Sequence, residues 1–339
     1  MAEGVFDCAD LVEIQVKADM IWSDNASNKE YVSRSEALQV LLAEQTADLT
    51  VLEDSDKDRD VKIMWVDYCA STVEDCAGDE CTVDGNEPEA TCKTYALDQC
   101  IETSFKVSEN RFRTSNLSRE EVVAKAMLKA QKDLEEEIAR RMIASVDTFV
   151  GENESTNQPG VVAGTDTYID GSYWTADIFG YLSEAGVLNK FTDPFILDGN
   201  NLYRQAWMSK YQGLNANEGS KPALFGSIRT YHDLFNMNQV LGANKMFMID
   251  KGAIAFASKV RYSATPVTYG NGANLTRYSI PSKNVAGLSF DVVYKTSCSG
   301  DDITHHWKLI ARFGTFLNPN SACNSTNTGV LSFTCGTQP

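Results

Sequence analysis

The sequence predicts an α+β fold organised around one long helix. Three observations carry this expectation. A helical apolar period runs unbroken over residues 118–149. Runs that read as strands flank it, at 61–69 and 101–108 on one side and at 195–201, 245–249, 277–294, 302–319 and 329–336 on the other. Helices and strands interleave, but with too few regular βαβ units for a doubly wound parallel sheet. The 339 residues suffice for a sizeable core and two or three subdomains, and the 43 % apolar content is ordinary for a folded chain.

Taken in order, residues 1–60 read as an arm. Residues 12–21 are strand-like, 35–46 form a short helix with Leu38, Leu41 and Leu42 on one face, and 53–60 are a charged loop. This stretch has too little apolar surface to fold alone, so it is expected to lie on something else. Residues 61–108 read as a long two-stranded hairpin, with 61–69 and 101–108 as its strands and Asp84-Gly85 as a turn signal. An isolated two-stranded ribbon is marginal in water, so this one is expected to lean on another chain.

The helix over 118–149 follows. Val123, Met127, Ala130, Leu134, Ile138, Met142, Val146 and Phe149 recur every three or four residues and share one stripe. Lys125, Lys129, Lys132, Glu136 and Arg140 fall on the other side. Ser118 and Glu121 have capping-box spacing, and Gly151 is placed to stop the helix. Glu121–Lys125, Glu136–Arg140 and Glu137–Arg141 are acid-before-base pairs four apart. At 1.5 Å per residue the rod is about 46 Å long. One apolar stripe on such a rod suggests a sheet on one side and solvent or another subunit on the other. Beyond it, 175–190 reads as a helix with Ile178, Phe179, Leu182 and Val187 on its face, 202–212 as a helix, and 252–258 as a short helix. The runs at 302–319 and 329–336 are expected to pair with each other.

The formal charge is −17 and no basic run occurs, which argues against direct, sequence-independent nucleic-acid binding. No run of eighteen apolar residues exists to span a membrane as a helix. The first residues show no secretory pattern, so the expectation is a cytoplasmic fold with its nine cysteines mostly reduced. Cys69, Cys76, Cys81, Cys92 and Cys100 are the densest local cluster. Thiolates bind zinc in fours, yet the intervening stretches of six, four, ten and seven residues contain no CxxC knuckle and no histidine. Zinc, a disulfide formed on later oxidation, and ordinary thiols all stay open, with ordinary thiols preferred. The acidic tip around Asp79, Glu80, Asp84 and Gly85 lacks the ligand ladder of an EF-hand. His305 and His306 would point to opposite faces of a strand and so cannot serve one centre. His232 sits in no triad-like pattern, and no phosphate loop, GxSxG or HExxH occurs. No catalytic residue, cofactor or metal is therefore assigned, and an enzyme is not expected. A cysteine-metal enzyme or redox protein built on 69–100 is the rival reading.

The order of elements resembles the major capsid proteins of tailed phages, the Hong Kong 97 (HK97-like) fold. The resemblance runs through the arm, the hairpin, the long helix, the segment PGVVAG, then TADIFGYLSEAG, then FILDGNN into LYRQAW, then KMFMIDKGAIAFAS, and the closing run from HHWKLIARFGTFL to GVLSFTC. It implies an N-terminal arm (1–60), an extended E-loop hairpin (61–108), a P domain with the spine helix (109–160), an A domain (161–294) and closing P-domain strands (295–339). It also implies a shell subunit that assembles in a host cytoplasm into pentamers and hexamers of a virion, with portal, scaffold and decoration proteins as partners and packaged DNA met only indirectly. An encapsulin-type compartment shares this implication. The texture of the hairpin and of GVLSFTC is most similar to phages infecting Bacteroidetes. From Val66 to Cys92 there are eight acidic residues and no Lys or Arg, which calls for a basic surface on a neighbour. Lys125, Lys129 and Lys132 are the expected counterpart of Asp79, Glu80 and Asp84.

Overall fold

The computed structural model describes residues 6, 8–24, 28–46, 48–51, 60–66, 90–109, 118–155, 159–174, 178–203, 223–225, 228–242, 244–269, 275–299, 302–319 and 328–336. In chain order its elements are α1 (Cys8–Ser23), α2 (Glu36–Glu44), β1 (Asp48–Val51), β2 (Asp60–Val66), β3 (Ala90–Ala96), β4 (Gln99–Ser108), α3 (Arg119–Thr148), β5 (Gly160–Ala163), β6 (Asp166–Ile169), α4 (Ile178–Leu188), β7 (Pro194–Asp198) and β8 (Ala223–Phe225). There follow β9 (Ile228–His232), α5 (Asn236–Leu241), β10 (Lys245–Asp250), β11 (Ile254–Ser258), β12 (Val267–Tyr269), β13 (Leu275–Pro281), β14 (Ser289–Ser299), β15 (Asp302–Leu317) and β16 (Val330–Cys335). The class is α+β.

Helix α3 begins as its sequence dictates. Ser118 is extended, and its hydroxyl accepts from the Glu121 amide at 3.2 Å. Glu121–Lys125 and Glu137–Arg141 form as expected, each at 3.0 Å. Arg140 turns to Glu137 three residues back, because Glu136 instead accepts the Arg34 amide at 3.2 Å. The apolar stripe is buried from Val123 to Val146. A second row, Ala124, Leu128, Gln131, Glu135, Ala139 and Ile143, is buried beside it. One row cannot serve two surfaces, and the helix has two. It packs on β4 and β15, and also against α1, α2 and α5. The flank expected to face solvent or another subunit is thus covered in large part by the chain's own arm.

The arm is held by burial and by a few polar pins. Residues 12–21 are helical, not strand-like. Leu11, Ile14 and Ala18 recur at helical spacing and are buried, so packing on α3 overrides the β-branched composition. Asp233 accepts from the Ala37 amide at 3.1 Å at the start of α2. At its end Glu44 holds Arg229 at 2.5 Å and Tyr231 at 2.9 Å, both on β9. Glu135, buried in the middle of α3, accepts from Ser282 at 2.5 Å and Asn284 at 2.6 Å, and Asn284 in turn accepts from the Ser33 amide at 3.1 Å. One carboxylate thereby joins the helix, the arm and the β13–β14 connection. Burial pushes its pKa up, against hydrogen bonds from Ser282, Ser33 and Asn284 that lower it.

Three sheets surround this frame. In the largest, β5-β6-β16-β10-β7-β9-β8, only β16 with β6 and β7 with β9 run parallel. In the second, β15 pairs with β4 along one edge and with β14 and then β11 along the other, and β13 and β12 follow β14. Strands β15 and β16 therefore lie in different sheets and do not pair with each other as expected. Residues 254–258 are a strand, not a helix, because the turn at Gly252 (φ 82°) lays them along the end of β15. The third sheet is β1-β2-β3. The hairpin thus closes between β2 and β3, with Val66 opposite Ala90, and 101–108 belongs instead to β4 beside β15. Its base leans on its own chain: Val61, Ile63 and Trp65 pack on Ala255 and Ala257 of β11. Val187 points outward from α4 at 72 % exposure, while Ile178 and Leu182 are buried. The helix expected at 202–212 lies almost wholly outside the described residues.

Met127→Asp and Leu134→Asp should each abolish soluble expression. These side chains are 1 % and 3 % exposed, and an unpaired buried carboxylate costs several kcal/mol against a total stability of about 5–15 kcal/mol. Normal soluble yield with unchanged melting would show the stripe is not core.

Glu135→Gln tests the central pin. A raised folded pKa means that stability from this group is full below the unfolded value, about 4.3, and is lost as pH rises through the folded value. The melting temperature of Glu135→Gln relative to the parent should therefore be highest at pH 8 and should fall as pH is lowered towards 5. A difference independent of pH in thermal melts would show that Glu135 does not titrate in this way.

Candidate assembly surfaces

The three lysines expected to meet a neighbour's acidic tip have different surroundings. Lys125 pairs with Glu121, and the hydrogen bond it donates to that carboxylate raises its pKa. Lys132 donates to the Glu30 carbonyl at 2.9 Å, tying the arm to the helix. Lys129 is exposed. The helix thus presents an interrupted row rather than a free basic stripe. Asp79, Glu80, Asp84 and Gly85 lie outside the described residues.

A denser set of cations lies on the sheet of β4, β15, β14 and β13. Its registers place Lys106 opposite His306, His306 opposite Lys295, and Lys308 opposite Val293, which faces Arg277. Alternation sends Trp307, Leu309 and Ala311 into the core, so their even-numbered neighbours stand on the other face. Here lies a groove of about 720 Å³, lined by Lys106, Arg277, Lys295, His306 and Lys308 and by apolar Leu275, Val293 and Ile310. Among the described residues its acids are few and engaged. Glu102 pairs with Lys308 at 2.6 Å. Asp291, fully buried, pairs with Arg312 and accepts from the Arg261 and Tyr262 amides. His306 bonds Ser297 at 2.8 Å, and its pKa is lowered by burial and then by the charges of Lys295 and Lys106. No contiguous basic run encodes this surface. Only the cross-strand register assembles it.

The histidines divide as alternation predicts. His305 is buried on the core side, between the Tyr294 hydroxyl at 2.9 Å and Glu109 at 2.7 Å. Burial pushes its pKa down and that of Tyr294 up to about 12. Arg119, at the start of α3, pairs with Glu109 at 3.2 Å and covers the Phe6 ring. His232 meets Asp198 at 3.0 Å, a contact that sequence reading missed because the partners are 34 residues apart. The parallel register of β7 and β9 sets them opposite each other. Asp198 also accepts from the Asn201 and Leu202 amides, so this pair braces the turn leaving β7.

Cys69, Cys76 and Cys81 lie outside the described residues. Cys92 stands opposite Met64 on β3 and Cys100 opposite Arg312 on β4, in different sheets. Cys100 is an exposed free thiol. Among the described residues no group of three or more His, Cys, Asp or Glu side chains is placed to hold a metal. Helix α1 carries one further surface, an exposed apolar row of Val12, Val16 and Met20 four residues apart.

No protein-family model matches the chain, and no curated protein matches it. Among solved structures it is similar to the capsid asymmetric unit of Cyanophage A-1(L), at 13 % identity over 90 % of this chain and 93 % of that one, with a TM-score of 0.47. It is similar to a structure from Mycobacterium phage Adephagia, at 12 % identity over 96 % and 98 % of the two chains, with a TM-score of 0.45. The asymmetric unit of the mature capsid of bacteriophage PhiM1 shares 8 % identity over 84 % of each chain, with a TM-score of 0.42.

Proposed function

We propose that this chain is the major capsid protein of a tailed phage, an HK97-like shell subunit that assembles with copies of itself around a double-stranded DNA genome. One observation carries the reading. A ribbon (β2 and β3) is followed directly by a strand, β4, that lies beneath the long helix and is joined there by β15 from the far end of the chain. That is the arrangement of E-loop, spine helix and returning strands which the resemblance implies. We read the seven-stranded sheet, with α4 packed on it, as the A domain. A shell subunit needs surfaces for its own copies, and the apolar row on α1 and the cationic groove are such surfaces. Pentamers and hexamers in a virion, with portal, scaffold and decoration proteins, are the partners this role entails. The Bacteroidetes host rests on sequence texture alone, and the similar structures named above bring no support for it.

Purified protein should form rings of five and six or closed shells by negative-stain microscopy. A monodisperse monomer at high concentration under every salt condition would defeat the reading. The ribbon supplies a sharper test. Because Val66 and Ala90 face each other, a two-residue Asp-Gly turn in place of 67–89 closes the hairpin without disturbing β2 or β3. The shortened protein should keep its circular dichroism and melting temperature and should fail to assemble. Normal shells from it would remove the ribbon from the lattice contacts.

A further inference from the structure

We propose that the cavity between helices α1 and α3 is a binding site for a small uncharged group, a primary carboxamide. This stands apart from the shell reading, because the cavity lies within one subunit.

The cavity measures about 110 Å³ and lies where the arm meets the long helix and the end of β13. Gln15 reaches it from α1 and Gln131 from α3. Gln131 is 3 % exposed, and its Oε1 has no hydrogen-bond partner among the described residues. The buried Nε2 of Gln15 has none either. A buried polar atom without a partner has lost its hydration with no replacement. The two helices thus bring an unused acceptor and an unused donor to one cavity. A ligand that supplies the opposite pair satisfies both.

Charge narrows the class of ligand. A carboxylate could accept from Gln15 but would set its oxygens against Gln131 Oε1. An ammonium could donate to Gln131 but would meet the Gln15 N–H groups. The charged residues at the cavity, Lys283 and Asp19, pair with each other and leave no fixed charge to hold an ion. Asp19 is exposed, which marks the side on which the cavity meets solvent. A primary amide carries its N–H donors and its C=O acceptor side by side in one neutral group.

Size and lining narrow it further. Met127, Ala18, Ile280 and Pro281 give the cavity apolar walls. A single water needs only about 10–15 Å³, and a buried water typically makes about three hydrogen bonds. A water cluster filling this space would lack partners along the apolar walls. An amide places its polar end on the two glutamines and its carbon tail on Met127 and Ile280. An apolar cavity of about 150 Å³ takes up benzene, so one of about 110 Å³ suits an amide of a few heavy atoms.

The test compares acetamide, acetate and acetone, which have the same number of heavy atoms, on the full-length protein by ligand-observed saturation-transfer NMR. Acetamide should bind with an affinity on the order of millimolar, the range open to so small a ligand. Acetate carries a charge and acetone lacks the donor, so each should bind at least about tenfold more weakly. Gln131→Leu and Gln15→Leu should each abolish the acetamide signal. Gln15 is only half-buried, so its variant serves if Gln131→Leu impairs folding, and the three-probe comparison needs no substitution. A short peptide with a central Gln, set against the same peptide with Glu, separates two sources of the amide. Binding of the Gln peptide alone would assign the site to a side chain of another chain, and binding of acetamide but neither peptide would assign it to a free amide. Either result upholds the site. Equal signals from the three probes, no acetamide signal at all, or an acetamide signal unchanged in both variants would overturn the proposal.

Discussion

Helix α3 buries two adjacent rows of side chains, and each row needs a different partner. β4 and β15 cover one flank, while α1, α2 and α5 lie along the other. Since a helix of this length is stabilised mainly by what it packs on, the elements around it are placed by that demand. The strand after the ribbon must enter the sheet, the last third of the chain must return to pair with it, and the arm must fold back.

The arm's attachment is largely apolar, with polar pins at chosen points. Leu11, Ile14, Leu38 and Leu41 are buried, while Asp233, Glu44 and Glu135 fix the entry, exit and register of the arm. Placing Glu135 in the core costs desolvation, and its donors Ser282, Ser33 and Asn284 offset part of that cost. Helix α1 remains apolar on its outer row at Val12, Val16 and Met20, more than a solvent-facing helix requires.

Charge is distributed unevenly. The acidic excess is carried by the arm and the ribbon, whereas the open face of the six-stranded sheet is cationic. A subunit with its two signs on separate elements attracts its own kind in defined orientations, and such attraction is tuned by ionic strength.

The α+β class, the span and cap of α3, and strands such as β10, β13 and β15 were legible in the residues, because local periodicity and capping chemistry act over a few positions. The split of His305 and His306 between two faces followed from alternation alone. Pairing partners were not legible. Nothing local tells 61–66 to pair with 90–96 instead of 101–108, or keeps β16 from β15, since competing strands look alike and burial of the whole sheet decides between them. Residues 12–21 and 254–258 read the wrong way for the same reason, their weak preferences yielding to α3 and to the edge of β15. The cationic groove is the extreme case. Lys106, Arg277, Lys295 and Lys308 are scattered through the sequence, and only strand register, a tertiary property, brings their charges onto one face.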